Sequence, residues 1–419
     1  MKNVYIIICV MFGFTACSDE KPTGDYLVID VAGSIGKYQK VYFSELFSLI
    51  ELVPLETKKE CLLDVVPNPA VLINDNFIFM RGDGHLYIFD RTGKFLNQVG
   101  KRGQGPGEYT DLHSIFFNTD RQTVYVEDVV KISEYDFAGK FLRSFHKPRP
   151  DDMSLSKIAY AGDDLFIGQM NYHGKNKYKY CLFDQHGNTV KCFLSHVFFN
   201  RERRFSSTFD SSLEPVRVEN RLYLKDFLND TIYVLENSNV QPAYVFEFGK
   251  YSFLNFKEYL EIFNKQDPVP RNAFIFSHTP GGFVATPKYF FYIVQVPSFS
   301  HPPQSKPVYL LDRQISTRPY VHGFYDITQR TNVFLDTDDH LQKGIINDIN
   351  GGLSFIPRYY AGNDVLVDVW NADIMKEILT NEYFSTQSIK DPQANQKLKD
   401  ILKNLKEDDN PVVVIAKLK

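Results

Sequence analysis

A chain of 419 residues is long enough for two or three average domains, or for one closed repeat architecture. Its formal net charge of −4 and the absence of a long basic stretch argue against nucleic acid as a partner. Aromatic residues make up 15% of the chain, with 36 Phe, 25 Tyr and one Trp, which suits packing between β-sheets and argues against repeats with a Trp-Asp signature.

The first 16 residues have the features of a secretory signal peptide. Lys2 supplies a short positive region, residues 4–14 form an apolar one, and Thr15-Ala16-Cys17 is a small-residue processing site. The apolar stretch is too short for a stable membrane span. The sequence therefore predicts export, with residues 1–16 removed as a signal peptide.

The position of Cys17 directly after Ala16 resembles the lipid-attachment site of bacterial lipoproteins. Phe14 stands where an aliphatic residue is usual, a deviation similar to that of lipoproteins from Bacteroides-type bacteria. The resemblance implies that Cys17 carries lipid and anchors the chain in the outer membrane. Ser18-Asp19-Glu20 resembles the acidic signal that sends such proteins to the cell surface, rather than leaving them on the periplasmic side. Ordinary secretion with a free Cys17 is the alternative.

A hairpin pattern recurs along the chain. Residues 17–40, with three glycines and little periodicity, are predicted to be a tether before a single folded domain at 41–419. In that domain, aromatic and β-branched strands end at Asp90, Asp136 and Asp184, and each Asp is followed three residues later by Gly and a further strand. Steps of 46 and 48 residues are typical of a β-propeller, in which each repeat is one four-stranded blade.

The strand patterns divide the domain into six blades. Val308–Asp312 is predicted to be a strand of blade five, and Leu353–Ile356 the innermost strand of blade six. The blades are predicted at residues 64–99, 114–145, 155–194, 213–248, 273–324 and from 345 onward.

The last blade needs strands from both ends of the chain. Val412–Ala416 and Leu49–Leu55 are predicted to complete it, because such a splice closes the ring and removes a free sheet edge. Small helical insertions are predicted near residues 255–264 and 371–408. The predicted fold is therefore an all-β, six-bladed propeller closed by its N- and C-terminal strands.

Three cysteines remain in the propeller. A three-residue loop after Asp184, as in the sister repeats, would place Cys181 opposite Lys191 and turn Cys192 to the other face of the sheet. A two-residue loop would instead place the two cysteines opposite each other. The sister repeats favour the first arrangement, so we predict free, mostly buried thiols, including Cys61.

Four segments carry a family resemblance: Leu55-Glu56-Thr57, Ile88-Phe89-Asp90 with Gly93-Lys94-Phe95, Gly103-Gln104-Gly105-Pro106-Gly107-Glu108-Tyr109, and Asn410-Pro411-Val412. With them the chain resembles the six-bladed β-propeller lipoproteins of Bacteroides-type bacteria, which are related in fold to NHL-repeat propellers. The resemblance covers nearly the whole mature chain, and the Gly-rich segment is its most specific part. It implies the fold and brings no established chemistry with it.

The long connections are predicted to lie on one face. With strands lettered A to D from the axis outward, A–B and C–D turns share one face, and B–C turns and D-to-A crossings share the other. Loops on a rigid scaffold carry function, so we expect the second face, here named the long-loop face, to bind. Its long segments are predicted at 100–111, 146–154, 171–177, 195–210, 249–272, 298–307 and 325–344.

The Gly-rich crossing at 100–111 contains the first candidate site. Its amides and cations could form a nest for an anionic group, with Arg102, Gln104, Glu108 and Tyr109 as candidate binding residues. It lacks the Lys-Ser/Thr ending of a P-loop, which argues against nucleotide binding. The alternative is a rigid crossing whose three glycines serve backbone geometry alone.

Other candidates are scattered. Tyr172 offers an aromatic surface for sugar stacking, and Arg203 could engage a carboxylated glycan or a partner, with packing and a solvated charge run as the respective alternatives. Asn347, Asp348 and Arg358 bracket the predicted innermost strand of blade six and are candidates for lining the axis. No zinc-ligand spacing, nucleophile elbow or assignable carboxylate pair occurs, so no metal, cofactor or catalytic residue is predicted.

Together these patterns predict a monomeric, lipid-anchored propeller that binds a glycan, peptide or protein through its long-loop face. Its membrane contact is expected through the N-terminal lipid alone. A propeller enzyme, such as a glycan lyase or hydrolase with dispersed residues at the axis, is the alternative.

Overall fold

The computed structural model describes most of the chain. Cys17, the signal peptide and the helix predicted near 255–264 lie outside the described residues. The described residues are 26–63, 71–82, 84–118, 120–170, 177–195, 215–225, 230–249, 275–276, 282–295, 308–310, 313–316, 320–336 and 344–419.

The structure is a six-bladed β-propeller, as the sequence predicts. Each blade is built on a four-stranded antiparallel sheet, and innermost strands of neighbouring blades lie side by side around the axis. Alternating apolar side chains of one blade pack against those of the next, so the core consists of layers between blades. A closed ring of this kind protects the innermost edges of all six sheets.

Blades one to three lie at the predicted positions. Their strands A to D are Val71–Ile73, Phe77–Gly82, His85–Asp90 and Phe95–Val99; Ser114–Asn118, Thr123–Glu127, Lys131–Asp136 and Phe141–His146; and Leu155–Gly162, Leu165–Met170, Tyr178–Asp184 and Thr189–Leu194.

Blade five differs from its prediction. Val308–Leu310 does not join the blade: it forms a hairpin with Arg313–Ser316 inside the B–C connection. Strand D lies within the segment 325–344, which was expected to be one long crossing. Strands A to D of blade four are Val216–Val218, Arg221–Lys225, Thr231–Glu236 and Asn239–Glu247. Strands A to D of blade five are Phe283–Ala285, Tyr289–Gln295, Tyr320–Asp326 and Thr331–Leu335. Ile275–Phe276 also pairs with strand B of blade five.

Blade six is closed by both ends of the chain, as predicted. Its innermost strand is Tyr359–Gly362 rather than Leu353–Ile356, because Phe355 pairs with Ile345 in the preceding crossing. Strands B, C and D are Val365–Trp370, Val412–Leu418 and Phe47–Pro54. The insertion between strands B and C contains the helices α2 (Ala372–Ile378), α3 (Asn381–Thr386) and α4 (Pro392–Asn404).

The prediction of free thiols at Cys181 and Cys192 is wrong, because these two cysteines form a disulfide. The loop after Asp184 has the predicted form. A β-bulge beside it adds one residue to strand D, which moves Cys192 into register with Cys181. Blades one and two have a bulge at the same point. Cys61 is free and buried, as predicted.

In blades one to three, the recurring Asp-x-x-Gly turn also packs closely against the preceding blade. In blade three, the Asp184 carboxylate accepts hydrogen bonds from two amides of its own turn (2.8 and 2.9 Å). Gly187 has a φ of 82°, and a Cβ there would collide with the carbonyl oxygen of His146 in blade two. At Gly93 (φ 86°) a Cβ would likewise collide with the carbonyl oxygen of Pro54 in blade six, and at Gly139 (φ 85°) it would lie 3.1 Å from the Asn97 side chain of blade one. The turn and the inter-blade contact therefore both require glycine.

Part of the segment predicted to be a tether is built into the propeller. Leu27–Asp30 pairs in parallel with strand D of blade four, and Tyr38–Gln39 pairs in parallel with strand D of blade five. Helix α1 (Phe43–Leu46) then leads into strand D of blade six. We name residues 27–46 the clasp, because they fasten the outer edges of three consecutive blades.

Segments of the family resemblance meet where blade six joins blade one. The Asn410 side chain, fully buried there, donates to the carbonyl oxygens of Glu56 (2.8 Å) and Cys61 (2.9 Å) and accepts from the Leu63 amide (2.8 Å). The Glu56 carboxylate accepts a hydrogen bond from the Phe95 amide of blade one (2.9 Å). We name these five residues the closure joint.

Candidate functional site

The topology places the long connections on one face. The A–B and C–D turns contain two to four residues. On the other face, the D-to-A crossings run from eight residues (147–154) to 35 residues (248–282), and the B–C connection of blade six spans 371–411. Short B–C turns in blades one and two are exceptions. Because antiparallel strands alternate direction, the two classes of connection stay on opposite faces all around the ring.

The Gly-rich crossing lies on the long-loop face and is held by its own side chains. Lys101–Arg102 pairs in parallel with Glu108–Tyr109. The Glu108 carboxylate accepts from the Gly105 amide (2.8 Å) and lies 3.1 Å from the Lys101 ammonium. These contacts lower the pKa of Glu108, the Gly105 amide contributing most. The nest expected from the sequence thus receives the carboxylate of its own loop.

Of the three glycines from Gly103 to Gly107, one has a positive φ. Gly107 has a φ of 70°, and a Cβ there would lie 2.9 Å from the side chain of Phe141 in blade two. Gly103 and Gly105 have no positive φ. A Cβ at Gly105 would lie 3.0 Å from the Glu108 carboxylate. The glycines therefore make room for Glu108 and for the next blade.

The end of the crossing is anchored in the core. Tyr109 is fully buried and donates to the Val99 carbonyl (3.2 Å), and burial raises its pKa. The buried Asp128 carboxylate accepts from the Thr110 hydroxyl (2.6 Å) and amide (2.9 Å). Burial raises the pKa of Asp128, but these hydrogen bonds outweigh it and the pKa is lowered. Tyr109 is a structural anchor here.

Arg102 and Gln104 have exposed side chains on this loop. The Arg102 guanidinium donates to the Thr110 carbonyl (3.3 Å) at its Nε atom. Both side chains are accessible to a partner.

Asn347 and Asp348 lie beside the clasp and the helical insertion. The Asp348 carboxylate accepts from the Ser44 hydroxyl of α1 (2.6 Å) and lies 2.8 Å from the Lys390 ammonium. Burial raises the pKa of Asp348, and the bonds from Lys390 and Ser44 lower it by more. Asn347 donates to the Asn350 side chain (2.7 Å). The contacts of Asp348 join the crossing into blade six to the clasp and to the helical insertion.

Arg358 directly precedes the innermost strand of blade six. Its guanidinium donates to the Asp368 carboxylate (2.8 Å), which also accepts from the Ile356 amide, the Val369 amide and the Trp370 indole (3.0, 2.8 and 3.2 Å). Burial raises the pKa of Asp368, and these donors oppose the shift. Of the three residues predicted to line the axis, Arg358 is the one beside an innermost strand.

A second buried ion pair near the axis was not predicted. Glu127, at the end of strand B of blade two, lies 2.9 Å from Lys147 in the crossing to blade three. It also accepts from the Ser114 hydroxyl (2.6 Å) and from the Ile158 amide of blade three (3.2 Å). A charged residue that ends an apolar strand was the available signal. The pair joins two blades at the long-loop face.

Tyr172 and Arg203 lie outside the described residues. Within the described part of the chain, no group of three or more His, Cys, Asp or Glu side chains is arranged to hold a metal ion. In the same residues, no helix is long and apolar enough to cross a bilayer.

One solved structure clearly shares this fold, and others show a weaker similarity. A putative exported protein from Bacteroides fragilis is 18% identical, with a TM-score of 0.65, and the match covers 94% of this chain and 100% of that chain. A DUF4221 family member from Bacteroides vulgatus is 9% identical (TM-score 0.45; 89% and 97% covered), and the Neurospora crassa Pan2 WD40 domain is 8% identical (TM-score 0.38; 90% and 98%). No curated protein sequence matches the chain.

One sequence family spans the propeller. The family described as a domain of unknown function, DUF4934, matches residues 26–417. The match begins one residue before the clasp and ends inside the closing strand of blade six. The clasp, the ring and the closing strand are thus all parts of the matched unit, and the chain belongs to the DUF4934 family.

Proposed function

We propose that this protein is an exported, lipid-anchored scaffold that binds a glycan, peptide or protein on its long-loop face. One observation carries the proposal: turns of two to four residues on one face oppose crossings of eight to 35 residues and a helical insertion on the other. Rigid scaffolds present recognition residues on such loops. The exposed Arg102 and Gln104 lie on this face.

Three observations support export. The N-terminal 16 residues have the pattern of a signal peptide, followed by Cys17. The Cys181–Cys192 disulfide is of the kind that persists in oxidising compartments. The Bacteroides fragilis protein of the same fold is described as a putative exported protein.

The charged groups near the axis support binding over catalysis. Glu127 accepts from one backbone amide and the Ser114 hydroxyl and faces Lys147. Asp368 accepts from two backbone amides and faces Arg358. Carboxylates that are hydrogen-bonded and ion-paired in this way hold loops in place, whereas a general acid or base needs access to substrate. We therefore favour a scaffold over the alternative of a propeller lyase or hydrolase.

The binding face is tested with matched variants. The soluble mature protein, with Cys17→Ser, is screened on glycan and peptide arrays. Arg102→Glu and Val130→Asp alter exposed side chains of the long-loop face, and Arg330→Glu and Ala138→Asp alter exposed side chains of the opposite face. We expect at least one long-loop variant to weaken a hit tenfold or more and both controls to leave it unchanged.

Loss of binding confined to the control face would contradict the proposal. Turnover of any hit by the wild-type protein would establish the enzyme alternative. Lipid attachment is tested separately by metabolic labelling with a clickable fatty acid, in which Cys17→Ala is expected to abolish the label. Equal labelling of the two proteins would refute the lipid anchor.

A further inference from the structure

The first strand of the clasp has a defined direction on the rim of the propeller. Leu27 lies opposite Tyr244 and Asp30 lies opposite Glu247, in parallel pairing. Strand D of blade four begins directly after its C–D turn and ends at the crossing to blade five. Followed backward from Asp30 to Leu27, the chain therefore runs away from the long-loop face.

The length of chain before the clasp is short. Ten residue steps separate Cys17 from Leu27, which corresponds to at most about 35 Å of extended chain. Strand D of blade four contains nine residues and is itself about 30 Å long. Leu27 lies opposite the sixth of these nine residues, so the chain before Leu27 is long enough for Cys17 to lie beyond the short-turn end of blade four.

A membrane on the other side would require a reversal. The chain would have to turn back before Leu27 and then pass the end of the strand at Glu247, where the crossing to blade five begins. The reversed path would use much of the available chain length for the turn and the return. A path that continues in the direction of the strand needs no turn.

We propose that blade four is the membrane-proximal part of the propeller, with its short-turn end toward the bilayer and the long-loop face turned away. The inference rests on the proposed lipid anchor and adds an orientation to it. Blade one, opposite blade four in a ring of six, is then the part farthest from the lipid. The long-loop face is accessible to partners outside the membrane plane.

Chemical coupling tests the orientation without cellular lipidation. The protein from Cys17 onward is coupled to maleimide lipid in phosphatidylcholine vesicles that carry a rhodamine-labelled lipid as acceptor. Cys17 is the reactive thiol, because Cys61 is fully buried and burial raises its pKa, while Cys181 and Cys192 form the disulfide. A donor dye is attached through an azide-bearing amino acid at one exposed position per variant.

Three positions report the orientation. Ser238 lies in the C–D turn of blade four, Glu247 at the opposite end of the same outer strand, and Thr92 in the C–D turn of blade one; all three are exposed. We expect energy transfer to be strongest from Ser238, weaker from Glu247 and weakest from Thr92. Transfer from Glu247 equal to or above that from Ser238 would overturn the proposal, and so would equal transfer from Thr92 and Ser238.

A control tests the role of tether length. Insertion of a 30-residue Gly/Ser linker after Cys17 should remove the differences among the three positions, because such a linker permits every orientation. Differences that persist unchanged with the linker would show that another contact orients the protein, which would also overturn the proposal. Failure of lipidation in the cell would refute the anchor alone, and the vesicle measurement would still decide the geometry.

Discussion

Blades one to three and blades four to six are built from the same four-stranded unit but differ at their outer edges. In the first half, every strand of a blade comes from one continuous stretch of chain, and no further strand among the described residues pairs with strands D. In the second half, the clasp covers blades four and five, and strand D of blade six comes from the N-terminal side of the ring.

The difference separates local from long-range stability. A blade of the first half forms hairpins between neighbours in sequence, so its fold depends on turn chemistry and on packing against the next blade. The second half depends on pairing between residues more than 200 positions apart, such as Leu27 with Tyr244 and Val53 with Val413. Changes at the clasp and closure should therefore act on the whole ring, and changes at a single turn on one inter-blade contact.

Removal of the closing strand should have the largest effect. Deletion of residues 410–419 removes the central strand Val412–Leu418, in which five large aliphatic side chains are buried at about 2 kcal/mol each. The loss of about 10 kcal/mol is comparable with the whole stability of a domain. Circular dichroism on heating should show no cooperative transition. A melting temperature equal to that of the wild type would show that the strand is dispensable.

Asn410→Ala should have the next largest effect. It leaves two carbonyl oxygens and one amide of the closure joint without their partner, at about 1–3 kcal/mol for each unpaired group. We expect a loss of about 4 kcal/mol in urea unfolding. The matched control is Asn404→Ala, at an exposed position at the end of α4, which should change stability by less than about 0.5 kcal/mol. Equal effects of the two changes would contradict the role of the joint.

Substitutions at two neighbouring residues of the clasp measure how much it stabilises the second half of the ring. Ile29 is fully buried against blade four, whereas Val28 is 44% exposed. Ile29→Ala should cost about 3 kcal/mol through lost burial and the cavity that remains, and Val28→Ala less than about 0.5 kcal/mol. Urea unfolding of both variants decides the point. A neutral Ile29→Ala would mean that the clasp adds nothing to the ring.

Substitutions at two glycines distinguish the cost of backbone strain from the cost of a collision between blades. Gly187 and Gly162 both have positive φ (82° and 100°), but a Cβ would meet the His146 carbonyl at Gly187 and nothing within 4 Å at Gly162. Gly162→Ala should cost about 1 kcal/mol through the backbone alone, and Gly187→Ala about 3 kcal/mol with the added collision. Similar losses of stability of the two variants in thermal unfolding would argue against a close contact between blades at Gly187.

Asp128 should give a smaller, pH-dependent effect. Its pKa is lowered in the folded protein, so its contribution is present at neutral pH and is lost as pH falls below about 4, the value in the unfolded chain. Asp128→Asn should cost about 2 kcal/mol at pH 7, through weaker bonds to Thr110. The difference from the wild type should shrink toward pH 3. A difference independent of pH would show that the carboxylate charge has no part in it.

The sequence indicated the position of the Gly-rich crossing but not the contacts within it. The Gly-rich crossing was found from its motif, and the structure shows that Glu108 fills the nest of its own loop. Asn347 and Asp348 were chosen for their position beside a predicted strand; the partners of Asp348 come from the clasp and the helical insertion, whereas Asn347 bonds to Asn350 in the same crossing. The Glu127–Lys147 pair joins residues 20 positions apart across two elements, and no sequence spacing indicates such a contact.

The sequence by itself determined the number of blades, the bounds of the first-half blades, the Asp-x-x-Gly turns and the strands that close the ring. These follow from alternation, turn residues and the need to pair every inner edge. The tertiary structure decided the rest. The disulfide depends on a bulge of one residue, which shifts the register by one position and thereby reverses which side chains face each other. The clasp depends on parallel pairing with blades four and five, and a short strand without a turn of its own gives no periodic signal.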